Sequence, residues 1–435
     1  MKRVNLMVAS TVGTTLEWYD FFTFAACAVL VFDKQFFASK DPFVGTLLAL
    51  STFSFGFIAR PLGGILFGIA GDRYGRKNVL IASLLMMGIG TFLISVLPTY
   101  ATAGVIAPIA LVVLRIAQGI AVGGEATGAM LIIAESMPAR RRGLWTSFTM
   151  AAGPLANVLT AGVISLVQGI YGDQAFVEWA WRIPFLISVV LIVLGFWTRR
   201  RVEESHAFIE LVKRAGKVER APLLVAVRHN WPEMLKAFFV KASENTFLYI
   251  FSTFVLFLAT SHLHMARADA LRAVLWASAA EVLVTLLAAY ASDLVGRRPV
   301  LLAGLVATAL ASYALFTLEP GASYAALQTV VLICLVCHGV IIGAMAGYLT
   351  ELFPTPVRYT ALSAAYTLAS VAGGAVAPVI GAVLLQFTGS SISVAIYATV
   401  VAVPAVVSVV RSREADGVAF FGADVPVPAS EPVAG

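Results

Sequence analysis

Charge is what this sequence most conspicuously lacks. Only 12% of its 435 residues are Asp, Glu, Lys or Arg, where a soluble domain usually carries about a quarter. Without a charged skin the chain cannot present most of its surface to water. Hydrophobic residues make up 60% of it and its mean hydropathy is +0.89, so that surface is expected to face lipid. Cysteine is nearly absent too. Cys27, Cys334 and Cys337 all fall inside apolar runs, which argues against a disulfide framework. No cleavable leader is visible either: Lys2 and Arg3 precede an apolar stretch, but that stretch holds Glu17 and Asp20 and no small-residue cleavage site follows. The first apolar run is therefore expected to stay in place as a signal anchor. A nucleotide loop, a metal cluster and a nucleophile–base set are all missing, so an enzyme is not expected and no cofactor or metal is called for.

What is present is long apolar runs. Backbone polar groups in lipid must be satisfied within their own helix or in a closed barrel. The runs here are solidly apolar rather than alternating, so the barrel is excluded. A spanning helix needs about 20 apolar residues, and twelve runs qualify: 8–32, 44–70, 79–98, 103–134, 143–169, 182–199, 234–260, 270–291, 299–318, 324–350, 359–386 and 391–410. The expected class is an all-α membrane protein of twelve transmembrane helices in two six-helix halves, 1–199 and 234–411. Residues 200–233, rich in Arg and Lys, read as a cytoplasmic linker, and 412–435 as a disordered tail. Loop charge sets the orientation. Arg73, Arg76, Lys77, Arg140, Arg141, Arg142, Arg297, Arg298, Arg358, Arg411 and Arg413 lie on one side with the linker. That side, with both termini, is expected to be cytoplasmic. The net charge of +6 is thus an insertion signal, and nucleic acid is not an expected partner.

The halves echo one another. Gly68-Ile69-Ala70-Gly71-Asp72-Arg73-Tyr74-Gly75-Arg76-Lys77 follows the second run, and Ala289-Tyr290-Ala291-Ser292-Asp293-Leu294-Val295-Gly296-Arg297-Arg298 follows the eighth. A second echo pairs Glu135-Ser136-Met137-Pro138 and Arg142 with Glu351-Leu352-Phe353-Pro354 and Arg358. Parallel repeats of this kind are a transporter architecture. The loop aspartates Asp72 and Asp293 are suited to accept hydrogen bonds from a facing helix N-terminus. Arg76 and Arg297 are placed to pair with Glu135 and Glu351, and Gly75 and Gly296 permit the tight turn. Gly68, Asp72, Arg73, Gly75, Arg76, Glu135, Asp293, Gly296, Arg297, Glu351 and Arg358 form a candidate gate that latches the halves in one conformation and releases in another.

On these residues the chain resembles the major facilitator superfamily. It is similar in particular to the metabolite:proton symporter family, which includes shikimate, α-ketoglutarate, citrate and proline/betaine permeases. The narrower likeness rests on Glu17-Trp18-Tyr19-Asp20-Phe21, Arg60-Pro61-Leu62-Gly63-Gly64, Arg115-x-x-Gln118-Gly119, Gly123-Gly124-Glu125, Trp181-Arg182-Ile183-Pro184-Phe185 and Glu351-Leu352-Phe353-Pro354-Thr355. It departs at Ala126-Thr127, where such permeases often have Trp-Gly, and at Ala289 and Leu294 in the second loop signature. The resemblance implies the first, fourth, seventh and tenth spans around a central cavity. Glu17, Asp20, Arg115, Lys241, Glu244, Asn245, Tyr249 and His338 would then lie near the substrate and proton path.

Ionisable groups at membrane depth are costly and are functional candidates by default. Glu17 and Asp20, three apart, share a helix face, and two such carboxylates disfavour double ionisation, which suits a proton carrier. The plain alternative is a structural pair with Arg115. Lys241 is either a contact for a substrate carboxylate or a partner for Glu244. Arg60 and Glu281 hold equivalent places in the two halves, and each is expected to be satisfied by a different neighbour at the half–half interface. Cys334-Leu335-Val336-Cys337-His338 matches a haem-attachment spelling, but inside an apolar span it is read as buried packing. The expected function is proton-coupled symport of a small organic acid by alternating access, in a bacterial inner membrane, by a monomer driven by the proton gradient. A zwitterion symporter and a proton-driven exporter are the transport alternatives. A membrane sensor would need an output domain, for which the linker and tail leave no room.

Overall fold

The computed structural model of the protein describes residues 2–37, 39, 41–64, 66–67, 76–123, 130–131, 133–134, 137, 141–200, 223–353 and 355–412. Regular structure among them is entirely helical. The twelve apolar runs appear as α1 (Ser10–Gln35), α2 (Phe43–Gly64), α3 (Arg76–Ser95), α4 (Ile106–Val122), α5 (Arg142–Ala180) and α6 (Arg182–Arg200), then α7 (Asn230–His262), α8 (Arg267–Val295), α9 (Arg297–Phe316), α10 (Tyr324–Glu351), α11 (Thr360–Thr388) and α12 (Ile392–Val410). Nine of these are long and apolar enough to cross a bilayer among the described residues, and α4 is a shorter apolar helix. The predicted tail, beyond Ser412, and most of the predicted linker, 201–222, lie outside the described residues.

Local chemistry starts and stops the helices. Asp41 caps α2 by accepting from Phe43 N at 2.9 Å, with Pro42 in the first turn, where its missing N–H costs nothing. Ser323 caps α10 through Ala326 N at 3.2 Å. Two helices outrun the expected spans. α5 continues from 169 to Ala180 across a kink at Gly172, because the polar Gln174 and Glu178 interrupt hydropathy without breaking the helix. The helix bearing α7 starts at Leu223 and kinks at Asn230, just before Pro232. Wide π-helical turns interrupt α1 at Ala28–Phe32, α5 at Phe176–Ala180, α7 at Ile250–Phe254 and Leu258–His262, and α11 at Ser370–Ala375.

Within each half the helices pack closely, and the halves meet along two seams, α5 on α8 and α2 on α11. The repeat exchanges α2 with α8 and α5 with α11, so the seams are related by the pseudo-two-fold. Asn157 of α5 donates to Ser278 of α8 at 2.8 Å, and Ser54 of α2 donates to the Ala375 carbonyl of α11. α2 and α4 lie nearly backbone to backbone: a Cβ on Gly119 would strike the Gly56 carbonyl. Small residues allow this approach where lipid supplies no hydrophobic drive. Leu283, Leu287 and Leu310 are exposed on the outside, as a lipid-facing surface requires.

Candidate functional site

Four buried side chains in the first half form a chain of hydrogen bonds. Asp20 Oδ2 accepts from Thr91 Oγ1 at 2.9 Å, and Gln118 Nε2 donates to Thr91 Oγ1 at 2.7 Å. Gln118 Oε1 then accepts from Arg115 Nη1 at 3.2 Å. Asp20 and Arg115 are thus joined through two neutral groups rather than as an ion pair. Asp20 Oδ1 and Arg115 Nε and Nη2 are buried without hydrogen-bond partners. The Arg115 guanidinium rests on rings instead, 4.1 Å from the Phe21 centroid and 4.2 Å from that of Phe24. Gly56 makes the room, since a Cβ there would lie 2.8 Å from Arg115 Nε.

Glu17 takes a different direction from Asp20. It is half-buried and lines a cavity between the halves with Trp18, Phe21 and Arg60 of the first half and Tyr366 of the second. The cavity measures about 20 Å³, room for about one water. A wider cavity of about 330 Å³ lies between α2, α7 and α11 at the end away from the Arg-rich loops, lined by Phe43, Thr46, Phe257, His262 and Gln386 among others.

The second half has its own buried chain. Glu281 Oε1 lies 2.5 Å from His338 Nδ1, and His338 Nε2 lies 3.3 Å from the Glu244 carbonyl and 3.8 Å from Glu244 Oε1. Glu244 Oε2 meets Lys241 Nζ at 2.5 Å, and Lys241 Nζ stands 4.5 Å from the centre of the Tyr366 ring. Two acids and two bases therefore run in sequence from α8 through α10 to α7. Asn245 and the Tyr249 hydroxyl are buried nearby without hydrogen-bond partners. Tyr249 packs across the interface against Phe53 and Phe57, both at 5.4 Å.

By sequence Arg60 and Glu281 form a matched pair, each expected to be satisfied by a different neighbour at the half–half interface; among the described residues neither has an ionic partner from the other half, although Arg60 does line the cavity between the halves. Glu281 meets His338 inside the second half through Oε1, while its Oε2 is buried without a hydrogen-bond partner. Arg60 packs on two phenyl faces, its guanidinium carbon 4.0 Å from the Phe57 centroid and 4.4 Å from that of Phe21. The signal for both was available in the rarity of ionisable residues at membrane depth. Cys27 and Cys334 are free and buried and Cys337 is free and partly buried, and no group of His, Cys, Asp or Glu among the described residues is arranged to hold a metal.

At the Arg-rich end, Asp293 reaches across to the N-terminus of α5. Its Oδ1 accepts from Gly143 N at 3.0 Å and its Oδ2 from Leu144 N at 2.8 Å, where the helix dipole favours a carboxylate. Arg297 Nη1 pairs with Asp293 at 2.5 Å, and Arg297 Nη2 lies 3.5 Å from Glu351, which Arg142 Nη1 approaches to 4.0 Å. Arg358 Nε donates to the Phe353 carbonyl at 3.0 Å. Gly296 turns at φ 102°, a conformation only glycine takes cheaply. Gly68, Asp72, Arg73, Gly75 and Glu135 lie outside the described residues, as does the side chain of Arg76.

Comparison with known proteins fits this geometry. Residues 5–233 match the family Sugar (and other) transporter, and residues 245–430 match the Major Facilitator Superfamily. An inner membrane metabolite transport protein of Escherichia coli (strain K12) is 36% identical over 87% of each chain. The shikimate transporter of the same organism is 35% identical over 90% of each. A proline/betaine transporter of Salmonella typhimurium is 33% identical over 94% of this chain and 83% of its own. A crystal structure of a D-xylose–proton symporter shares the fold, with TM-score 0.74 over 95% of this chain and 99% of that one, at 20% identity. The chain belongs to the major facilitator superfamily, among its metabolite permeases, and is a multi-pass membrane transporter.

Proposed function

We propose that this transporter moves a small organic acid together with protons across a bacterial inner membrane, with both termini cytoplasmic and halves at 1–199 and 234–411. The proposal requires no cofactor, and the proton gradient supplies the drive. The observation that carries it is the buried Asp20–Thr91–Gln118–Arg115 chain. With the site empty, Arg115 is the cation at one end of that chain, and its field reaches Asp20 at the other. A cargo anion near Arg115 cancels that field, and Asp20 then takes up a proton to avoid a buried excess negative charge. Departure of the anion reverses both steps. Cargo and proton are therefore bound and released together, and the gate at Asp293 and Glu351 governs which side they reach.

The dense ring cluster around Tyr249 favours a second reading, a zwitterion whose cationic end sits on an aromatic face, in keeping with the relatives named proline/betaine transporters. The test is uptake by proteoliposomes of radiolabelled organic acids and of glycine betaine, with and without an imposed pH gradient. Acid-driven accumulation of a carboxylate supports the first reading. Accumulation of glycine betaine alone supports the second.

A further inference from the structure

Arg60 is the outstanding group in this interior. It is 6% exposed, and its Nε is buried with no hydrogen-bond partner. Among the described residues no ion pair reaches it; the contacts of its guanidinium are the faces of Phe21 and Phe57. The ionisable groups within electrostatic reach are Glu17, Tyr249, Tyr366 and a second cation, Arg115. Arg60 and Arg115 both rest on the Phe21 ring, each guanidinium carbon within 4.4 Å of its centroid. Arg60 also lines the cavity at which the two halves meet, with Tyr366 contributed from the other half. A buried cation without an anionic partner is costly unless the missing partner arrives from outside.

We propose that Arg60 is the binding group for the cargo's carboxylate, so that the cargo itself is the counter-ion this arginine lacks. The inference rests on the organic-acid reading above and adds a residue and a selectivity to it. A guanidinium offers parallel N–H donors that match a carboxylate in a bidentate fork. Stacking on Phe21 and Phe57 fixes the plane of that fork without consuming its donors. The same stacking decides against a zwitterion. The faces of Phe21 and Phe57 beside the cavity are already covered by Arg60 and Arg115, and a second positive charge beside two guanidinia is repelled. Because Tyr366 belongs to the other half, an anion seated on Arg60 bridges the halves and favours their closing around it.

The test uses the full-length protein, purified in nanodiscs, with thermal melting and proteoliposome counterflow read on the same preparations. The probes are shikimate, 2-oxoglutarate and citrate, with methyl shikimate as the neutral isostere of the first and glycine betaine as the zwitterion. The wild type is expected to be stabilised by, and to exchange, at least one carboxylate, and to respond neither to the ester nor to betaine. Arg60→Met removes an unpaired buried charge, so the ligand-free melting temperature should hold or rise, while carboxylate affinity falls by at least 30-fold, as for loss of one partner of a buried charge pair. Arg60→Lys keeps the charge and loses the fork, and should fall between. A structural arginine behaves otherwise: Arg60→Met and Arg60→Lys would both melt well below the wild type, and that result overturns the proposal. Carboxylate affinity within threefold of wild type in Arg60→Met overturns it too, yet leaves proton-coupled uptake of an organic acid standing. A wild type that answers to glycine betaine and to none of the carboxylates overturns both.

Discussion

Neutralising Asp293 should loosen the Arg-rich end of the transporter by an amount the structure lets one work out. The carboxylate takes two backbone N–H bonds at the start of α5, at 3.0 and 2.8 Å, and an ion pair from Arg297. All three sit in a largely buried setting, the Asp293 side chain being 2% exposed and that of Arg297 9%, so solvent screening is slight. A hydrogen bond to a charged group contributes about 1.5–3 kcal/mol, and a neutral one about 1. Asp293→Asn keeps one neutral acceptor and loses the charge and the second bond to α5, a net loss of about 2–5 kcal/mol by those values. This loss falls on the closed state alone, because the α5 N-terminus belongs to the other half, whereas the pair with Arg297 is made within one half. The ratio of closed to open should drop by roughly 30–4000-fold at 1.4 kcal/mol per decade. The assay is the rate at which a maleimide labels a cysteine at Ser147, a fully buried site one turn along α5, with Cys27, Cys334 and Cys337 replaced. Labelling should speed up by at least tenfold. An unchanged rate in folded, membrane-inserted protein would refute the idea that Asp293 holds the gate shut.

Other outcomes follow from the same geometry. Gly143→Ala should mimic Asp293→Asn in the labelling assay with every charge kept, since the new Cβ would lie 2.8 Å from Asp293 Oδ1 and strike the Arg297 guanidinium; slow labelling there would show that the fit is not tight. Asp20→Asn should lose acid-driven accumulation yet retain counterflow, whereas Arg115→Gln should lose both; full accumulation by Asp20→Asn would move the proton elsewhere, with Glu281 and His338 next in line. Glu281→Ala strips the buried His338 of its partner and should lower stability by about 3–5 kcal/mol, with Glu281→Gln milder because it preserves the contact; equal melting temperatures for both and the wild type would contradict the pairing. A topology reporter fused after Val218 should be active only in its cytoplasmic form and one after Arg267 only in its periplasmic form, and the reverse at either point overturns the orientation.

The fold was legible because lipid leaves a helix no choice: apolar runs of the required length have one way to satisfy their backbone. The misread boundaries lie where polarity and helicity part company, as at Gln174 and Glu178 in α5. The site was legible in its parts and not in its partnerships. Glu17 and Asp20 share a helix face by spacing, yet one lines the inter-half cavity and the other joins Thr91 on α3, a neighbour no spacing within α1 could reveal. The equivalence of Arg60 and Glu281 is real in sequence, but partners come from neighbouring helices. The spacing from Glu135 to Glu351 that aligns α4 with α10 sets His338 opposite Val122, so the first half has an apolar side chain where the second has the histidine that meets Glu281.

The wide turns at Ala28–Phe32 and Ile250–Phe254 occupy matching places in the two repeats. Each crowds an extra residue into one turn and leaves the local hydrogen bonds out of the tight α register. Mechanically they are flexures set at the same height in α1 and α7. Below its flexure α1 is pinned through Asp20 to Thr91, and at the flexure Phe32 is wedged edge-on against Trp181 and Phe36 at 5.4 and 5.2 Å. A helix held in this way bends at a fixed level instead of tipping as a rod. The end of the molecule away from the Arg-rich loops can then close by deflecting the tips of α1 and α7, while Asp293 stays seated on α5. With separate moving parts at its two ends, the carrier can be shut at both at once, holding its cargo sealed from either side before it lets go.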